Sequence, residues 1–146
     1  METFDDFDKL LQEKYDSIWN SSRESLLNNE VDIDKHLSSI SSDKRMGLTV
    51  LIPLGEIFDD VMNSLRKIEP EQYFYPASDT HITIIDFVGA YEGFIPDKKQ
   101  VEIYKKVLSN VLKNIPVFNI KFKGLTASKG AVMVQGFYDK TLQEFR

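Results

Sequence analysis

The sequence predicts an α+β domain, a mixed and mostly antiparallel sheet with helices packed on one face. Three observations lead there. Apolar residues recur at three- and four-residue steps near 3–19, 56–68 and 97–115, the period of an amphipathic helix. Four shorter runs at 47–54, 80–89, 118–128 and 131–137 are rich in Ile, Val, Phe and Thr, with Gly, Pro, Ser or Asp at their borders, the composition of strands. The order is helix, arm, β, α, β, α, β, β, and the last two strands join around Lys129-Gly130 as a hairpin.

Each element has its own warrant. Phe4, Phe7, Leu11, Tyr15 and Ile18 form one stripe, with Trp19 beside it, and the polar stretch NSSRES predicts the helix end near residue 20. Residues 20–46 carry short apolar patches (Leu26, Leu27, Val31, Ile33, Leu37, Ile40) among Ser, Asn and Asp. They read as turns and loop, an arm around the core. GLTVLIPL is apolar on both faces, as a central strand would be, and Pro53 stops it. Ile57, Val61, Leu65 and Ile68 then align on a helix. Pro70 and Pro76 keep EPEQYFYPASD irregular before THITIIDFVG resumes as strand. Asp97 opens the third helix, whose stripe is Val101, Tyr104, Leu108, Val111 and Ile115. The chain closes on TLQEFR, the opening turn of a further amphipathic helix with Leu142 and Phe145 as its apolar positions. One turn holds itself poorly, so the expectation is the front part of a longer protein, with 1–46 as helix and arm and 47–146 as a domain incomplete on its C-terminal side.

Composition narrows the function classes. The 146 residues carry 42% apolar and 28% charged side chains, enough apolar mass for one core. A net charge of −5 argues against extended DNA binding and anionic membrane, both of which need a broad basic surface. There is no cysteine, hence no disulfide, thiolate nucleophile or sulfur-ligated zinc. The acidic N-terminus lacks a signal pattern and no run is long enough to span a membrane, so the expected place is the cytoplasm.

The chemistry concentrates in HITI. Strand side chains alternate, so His81 and Thr83 share one face while Ile82 and Ile84 share the other. Taken alone, His81 reads as a hydrogen-bonded structural histidine and Thr83 as an ordinary β-branched strand residue. Asp79, His81 and Asp86 are metal-ligand types, but strict alternation turns Asp86 away from His81, and no metal is expected. Lys121 and Lys123 share a face; they either attract phosphate or guard an edge strand. Tyr73 and Tyr75, around Phe74 in the loop before the motif, either stack a base or belong to the core.

RMGLTVLIPL, an amphipathic helix, HxT as HITI on the next strand, a second long helix and a hairpin ending in VMVQGF resemble the two-histidine (2H) phosphoesterase superfamily, which includes 2′-5′ RNA ligase-like proteins and cyclic nucleotide phosphodiesterases. The resemblance spans roughly residues 43–146. It implies two HxT or HxS motifs facing each other across a groove, one imidazole taking a proton and the other giving one, with the hydroxyls holding the phosphate. Histidine suits both roles because its unperturbed pKa is about 6.5. By this resemblance His81 is one proton-transfer group and Thr83 a phosphate donor, Arg45 and Gln135 lie in similar stretches as groove candidates, and neither metal nor cofactor is needed. The ligand is then a nucleotide or RNA terminus with a 2′,3′-cyclic or 2′-5′ linkage. The departure is equally plain. The other histidine, His36, sits in the polar arm segment DIDKHLSS and not in an HxT on a strand, so the chain is expected to carry one working motif of two and to be inactive by itself. The rival readings are a nucleotide- or RNA-binding module without catalysis, an interaction scaffold, and a homodimer formed through an open sheet edge or groove.

Overall fold

The computed structural model describes residues 4–37 and 43–146. Of the positions singled out above, Ile40 and the side chain of Phe4 lie outside the described part. The elements in order are α1 (Phe4–Leu27), β1 (Arg45–Pro53), α2 (Asp59–Ile68), a 3-10 turn (Ala77–Asp79), β2 (His81–Glu92), α3 (Lys98–Leu112), β3 (Ile120–Ala127), β4 (Val132–Tyr138) and α4 (Lys140–Phe145). With 41% helix, 27% strand and antiparallel pairing throughout, the class is α+β. The strands form two separate two-stranded sheets, β1–β2 and β3–β4, where one larger sheet was expected. β1 is therefore not central: its apolar residues on both faces pair with a single neighbour. Two compact units result, His36–Tyr104 in one and Met1–Lys35 with Lys105–Arg146 in the other.

In the first unit, β1 and β2 run antiparallel from Arg45 opposite Glu92 to Pro53 opposite His81. β2 has 12 residues and β1 has 9, and three register shifts, each leaving one extra residue on β2, account for the difference. Such bulges bend a strand and re-aim its side chains. One of them falls at Ile84, directly after the HxT motif. Gly47 is required where the strands cross, because a Cβ there would sit 2.8 Å from the Val88 carbonyl oxygen. α2 carries Asp59 and Asp60 in its first turn and Arg66 and Lys67 in its last, the arrangement that complements the helix dipole. The Arg66 guanidinium lies over Phe74, 4.9 Å from the ring centroid. α3 starts where Asp97 caps it, its carboxylate accepting from the Lys99 N–H at 2.9 Å, and Tyr104 of α3 stacks on Phe87 of β2 with centroids 4.7 Å apart.

In the second unit, α1 covers the β3–β4 hairpin. It runs past NSSRES to Leu27, further than expected. Asn and Ser lower helix propensity only slightly, and Ser22 is buried within the helix. The stop comes at Asn28-Asn29. Asn29 has φ 59°, and the Asn29 and Glu30 N–H groups return to the carbonyls of Leu26 and Ser25 at 3.1 and 2.8 Å, the paired bonds of a left-handed C-terminal cap.

The Tyr15 hydroxyl then does for β4 what a third strand would do. It accepts from the Gly136 N–H and donates to the Gly136 carbonyl, both at 2.8 Å, so the free strand edge is satisfied there. Thr126 donates to the Tyr15 carbonyl at 3.2 Å, and Tyr15 packs against Phe137. The hairpin has one bulge on β3, between Phe122 and Leu125, where Gly124 takes φ 82°, a conformation glycine adopts without strain. The turn at 128–131 closes with the Ser128 N–H on the Ala131 carbonyl at 2.9 Å. α4 is capped by Asp139, which accepts from the Thr141 N–H at 3.0 Å. Its Leu142, 1% exposed, is the most buried large side chain among the described residues.

Candidate functional site

His81 is the first residue of β2, exposed at the end of the β1–β2 ladder opposite Pro53. The 3-10 turn feeding into it is tight. Asp79 donates its N–H to the Pro76 carbonyl at 2.9 Å, Thr80 donates its N–H to Ala77 at 3.3 Å, and the Ser78 hydroxyl holds the Asp79 carboxylate at 2.9 Å. The turn points the Asp79 carbonyl at the imidazole, 2.5 Å from Nδ1. A carbonyl oxygen only accepts, so Nδ1 carries the hydrogen and the neutral ring keeps its lone pair on Nε2. An imidazole held this way takes a proton at Nε2 when neutral and gives one from Nε2 when charged.

Thr83 stands two residues further, opposite Leu51, with regular pairing at 81, 82 and 83. The pair therefore shares a face, and Thr83 is half-buried. Its hydroxyl makes no hydrogen bond among the described residues, in contrast to Thr49, which donates to the Ile85 carbonyl at 3.1 Å, and Thr80, which donates to that of Pro76 at 3.4 Å. Thr83 is thus an unspent donor beside an exposed imidazole with a fixed tautomer. Such a pair can grip a phosphate oxygen and move one proton.

The remaining sequence candidates fall in different places. Arg45 lies at the opposite end of the same ladder, opposite Glu92. Eight residues at about 3.3 Å each put it roughly 25 Å from His81, beyond the reach of a guanidinium. Its Nε and NH2 group meet both oxygens of Asp43 at 2.7–3.1 Å. This fork holds the Asp43 carboxyl down at about 2 from an ordinary 3.8, with the Arg45 hydrogen bonds as the main cause. His36 lies 4.0 Å from Asp43, so the two histidines of the chain stand at opposite ends of one sheet.

Tyr73 and Tyr75 are both exposed and meet edge to face with centroids 5.1 Å apart, in the loop that leads to the 3-10 turn. Lys121, Lys123 and Gln135 belong to the other unit. The two lysines are exposed, while Gln135 is buried and donates to the Leu125 carbonyl at 3.1 Å, a structural use of its amide.

Among the described residues no group of three His, Cys, Asp or Glu side chains could hold a metal ion. The bulge at Ile84 also removes the strict alternation by which Asp86 was assigned a face. What the sequence missed is the Asp79 carbonyl. Every residue carries one, so only the turn that aims it could reveal it. No helix among the described residues is long and apolar enough to cross a membrane. Comparison of the chain with protein families, characterised proteins and solved structures finds no match.

Proposed function

We propose that His81 and Thr83 form one half of a two-histidine phosphoesterase site that takes 2′,3′-cyclic or 2′-5′-linked nucleotides or RNA ends. The observation that carries this reading is the pairing of an imidazole whose Nε2 is left available with an unspent threonine hydroxyl on the same strand face. The exposed Tyr73–Tyr75 pair in the preceding loop offers ring faces for a base. The reaction needs a second imidazole, and His36 is too far away to supply it. Loss of one acid or base costs about 10²–10⁴-fold in rate, so this chain alone binds the phosphodiester and turns it over slowly or not at all. A second copy is the partner that would bring another His81, and the cytoplasm is the compartment that fits a chain without cysteine.

One spatial fact favours a second reading, a nucleotide- or RNA-binding module without catalysis. The only other histidine stands 4.0 Å from Asp43, at the far end of the ladder.

The test is an NMR titration of the chain with a 2′,3′-cyclic nucleotide and with its 2′-phosphate product, alongside a hydrolysis assay. The His81 imidazole and Thr83 amide signals are expected to shift saturably, with binding weakened in His81→Ala and Thr83→Val. Turnover that rises with the square of chain concentration would support the two-copy site. Binding without turnover at any concentration would support the module. Signals at 81 and 83 that ignore both ligands would falsify both readings.

A further inference from the structure

A cavity of about 300 Å³ opens in the unit that does not contain His81, between α1 and the β3–β4 hairpin. Its volume is at the lower end of small-ligand pockets, which run roughly 300–1,000 Å³. Tyr15, Asp16 and Trp19 line it from α1, and Leu125, Val132 and Gln135 from the hairpin.

The lining polar groups divide into two sets. The Tyr15 hydroxyl and the Gln135 amide nitrogen are consumed by backbone partners, so they shape the walls. Trp19 and Asp16 are not consumed in that way. The indole is 42% exposed and has no hydrogen bond or ring partner among the described residues. Asp16 accepts from Gln12 at 2.8 Å through Oδ1, while its other oxygen has no protein partner and the carboxylate has no cation beside it among the described residues. Positions 16 and 19 are three apart on one helix and so are neighbours on its surface.

A carboxylate and an indole lining one cavity attract positive charge and disfavour phosphate or carboxylate. The exposed Leu125 and Val132 side chains offer the rest of the ligand an apolar wall. We propose that this cavity binds a small organic cation with an apolar body, an ammonium group carried on an aromatic or branched alkyl frame. The site shares no residue with the His81–Thr83 pair and stands or falls without it.

The chain has one tryptophan, so its fluorescence reports on this cavity alone. The intact chain is titrated with benzyltrimethylammonium, with benzyl alcohol and with benzoate, by tryptophan fluorescence and by calorimetry. The cation is expected to bind saturably, at least about tenfold more tightly than the alcohol, and benzoate not at all. Asp16→Asn, an exposed and conservative change, should weaken the cation about tenfold and leave the alcohol unchanged. Trp19→Phe, followed by calorimetry, should weaken the cation by several-fold through loss of the better π face. Equal binding of all three probes, binding of none, or an unaltered cation affinity in Asp16→Asn overturns the proposal.

Discussion

Two threonines separate the two units. Thr126 is buried in β3 and spends its hydroxyl on the Tyr15 carbonyl. Thr83 is half-buried in β2 and its hydroxyl has no partner among the described residues. Both are β-branched residues on strands, equally suited to the pleat. They differ in whether the polar group is part of the fold or left over from it. In the α1–hairpin unit, Tyr15, Thr126 and Gln135 all commit side-chain polar groups to the backbone, and their chemistry is structural. At the head of β2, the tight turn commits one imidazole nitrogen, and among the described residues the other nitrogen and the neighbouring hydroxyl have no partner. A ligand can only use what the fold has not.

Removing what the fold uses should cost stability. The largest effect is expected at Leu142, where Leu142→Ala should destabilise by about 2–5 kcal/mol through lost burial and a residual cavity, read as a lower urea midpoint. Tyr15→Phe keeps the ring but leaves the Gly136 N–H and carbonyl without their partner, so about 1–3 kcal/mol should be lost. Thr126→Val should cost about 1 kcal/mol for the bond to the Tyr15 carbonyl, while Thr83→Val should stay within about 0.5 kcal/mol of the parent. The same urea melts check both, and a Thr83→Val penalty equal to that of Thr126→Val would erase the distinction between the two units.

A smaller effect sharpens the comparison at the α1 terminus. Asn29 sits at φ 59°, so Asn29→Gly should be neutral or slightly stabilising and Asn29→Ala should cost about 1 kcal/mol. The smallest effect is electrostatic. The folded pKa of Asp43, about 2, lies below its ordinary 3.8. The pairing with Arg45 therefore stabilises the fold above about pH 4 and is lost as pH falls from there through 2. A carboxyl carbon titration of Asp43 by NMR should show the depressed midpoint, and Arg45→Gln should return it towards 3.8. A midpoint already near 3.8 in the parent would mean that the fork does not persist in solution.

Much of the element list was legible because periodicity is local. Period-two runs and three- and four-residue stripes report which face of a strand or helix is apolar, and the starts of α3 at Asp97 and of the hairpin turn near Lys129-Gly130 follow from residue chemistry at single positions. The end of α1 was misplaced for the same reason. Asn and Ser read as stop signals wherever they cluster, and only at Asn28-Asn29 does the backbone take the left-handed turn that ends the helix.

The sequence by itself determined that the chain is α+β, that β2 begins with an imidazole and a hydroxyl two residues apart, and that the only other histidine lies in a polar segment outside the strand pattern. The tertiary structure alone decided that the strands pair as two sheets, that β2 bulges at Ile84 immediately after the motif, and that Arg45 and His36 stand at the far end of the ladder from His81. It also decided which nitrogen of His81 is left available. The physical reason is common to all of these. Pairing, register and hydrogen-bond partners are settled between segments remote in sequence, where any strand edge or carbonyl will satisfy any N–H, and local pattern carries no record of which one is chosen.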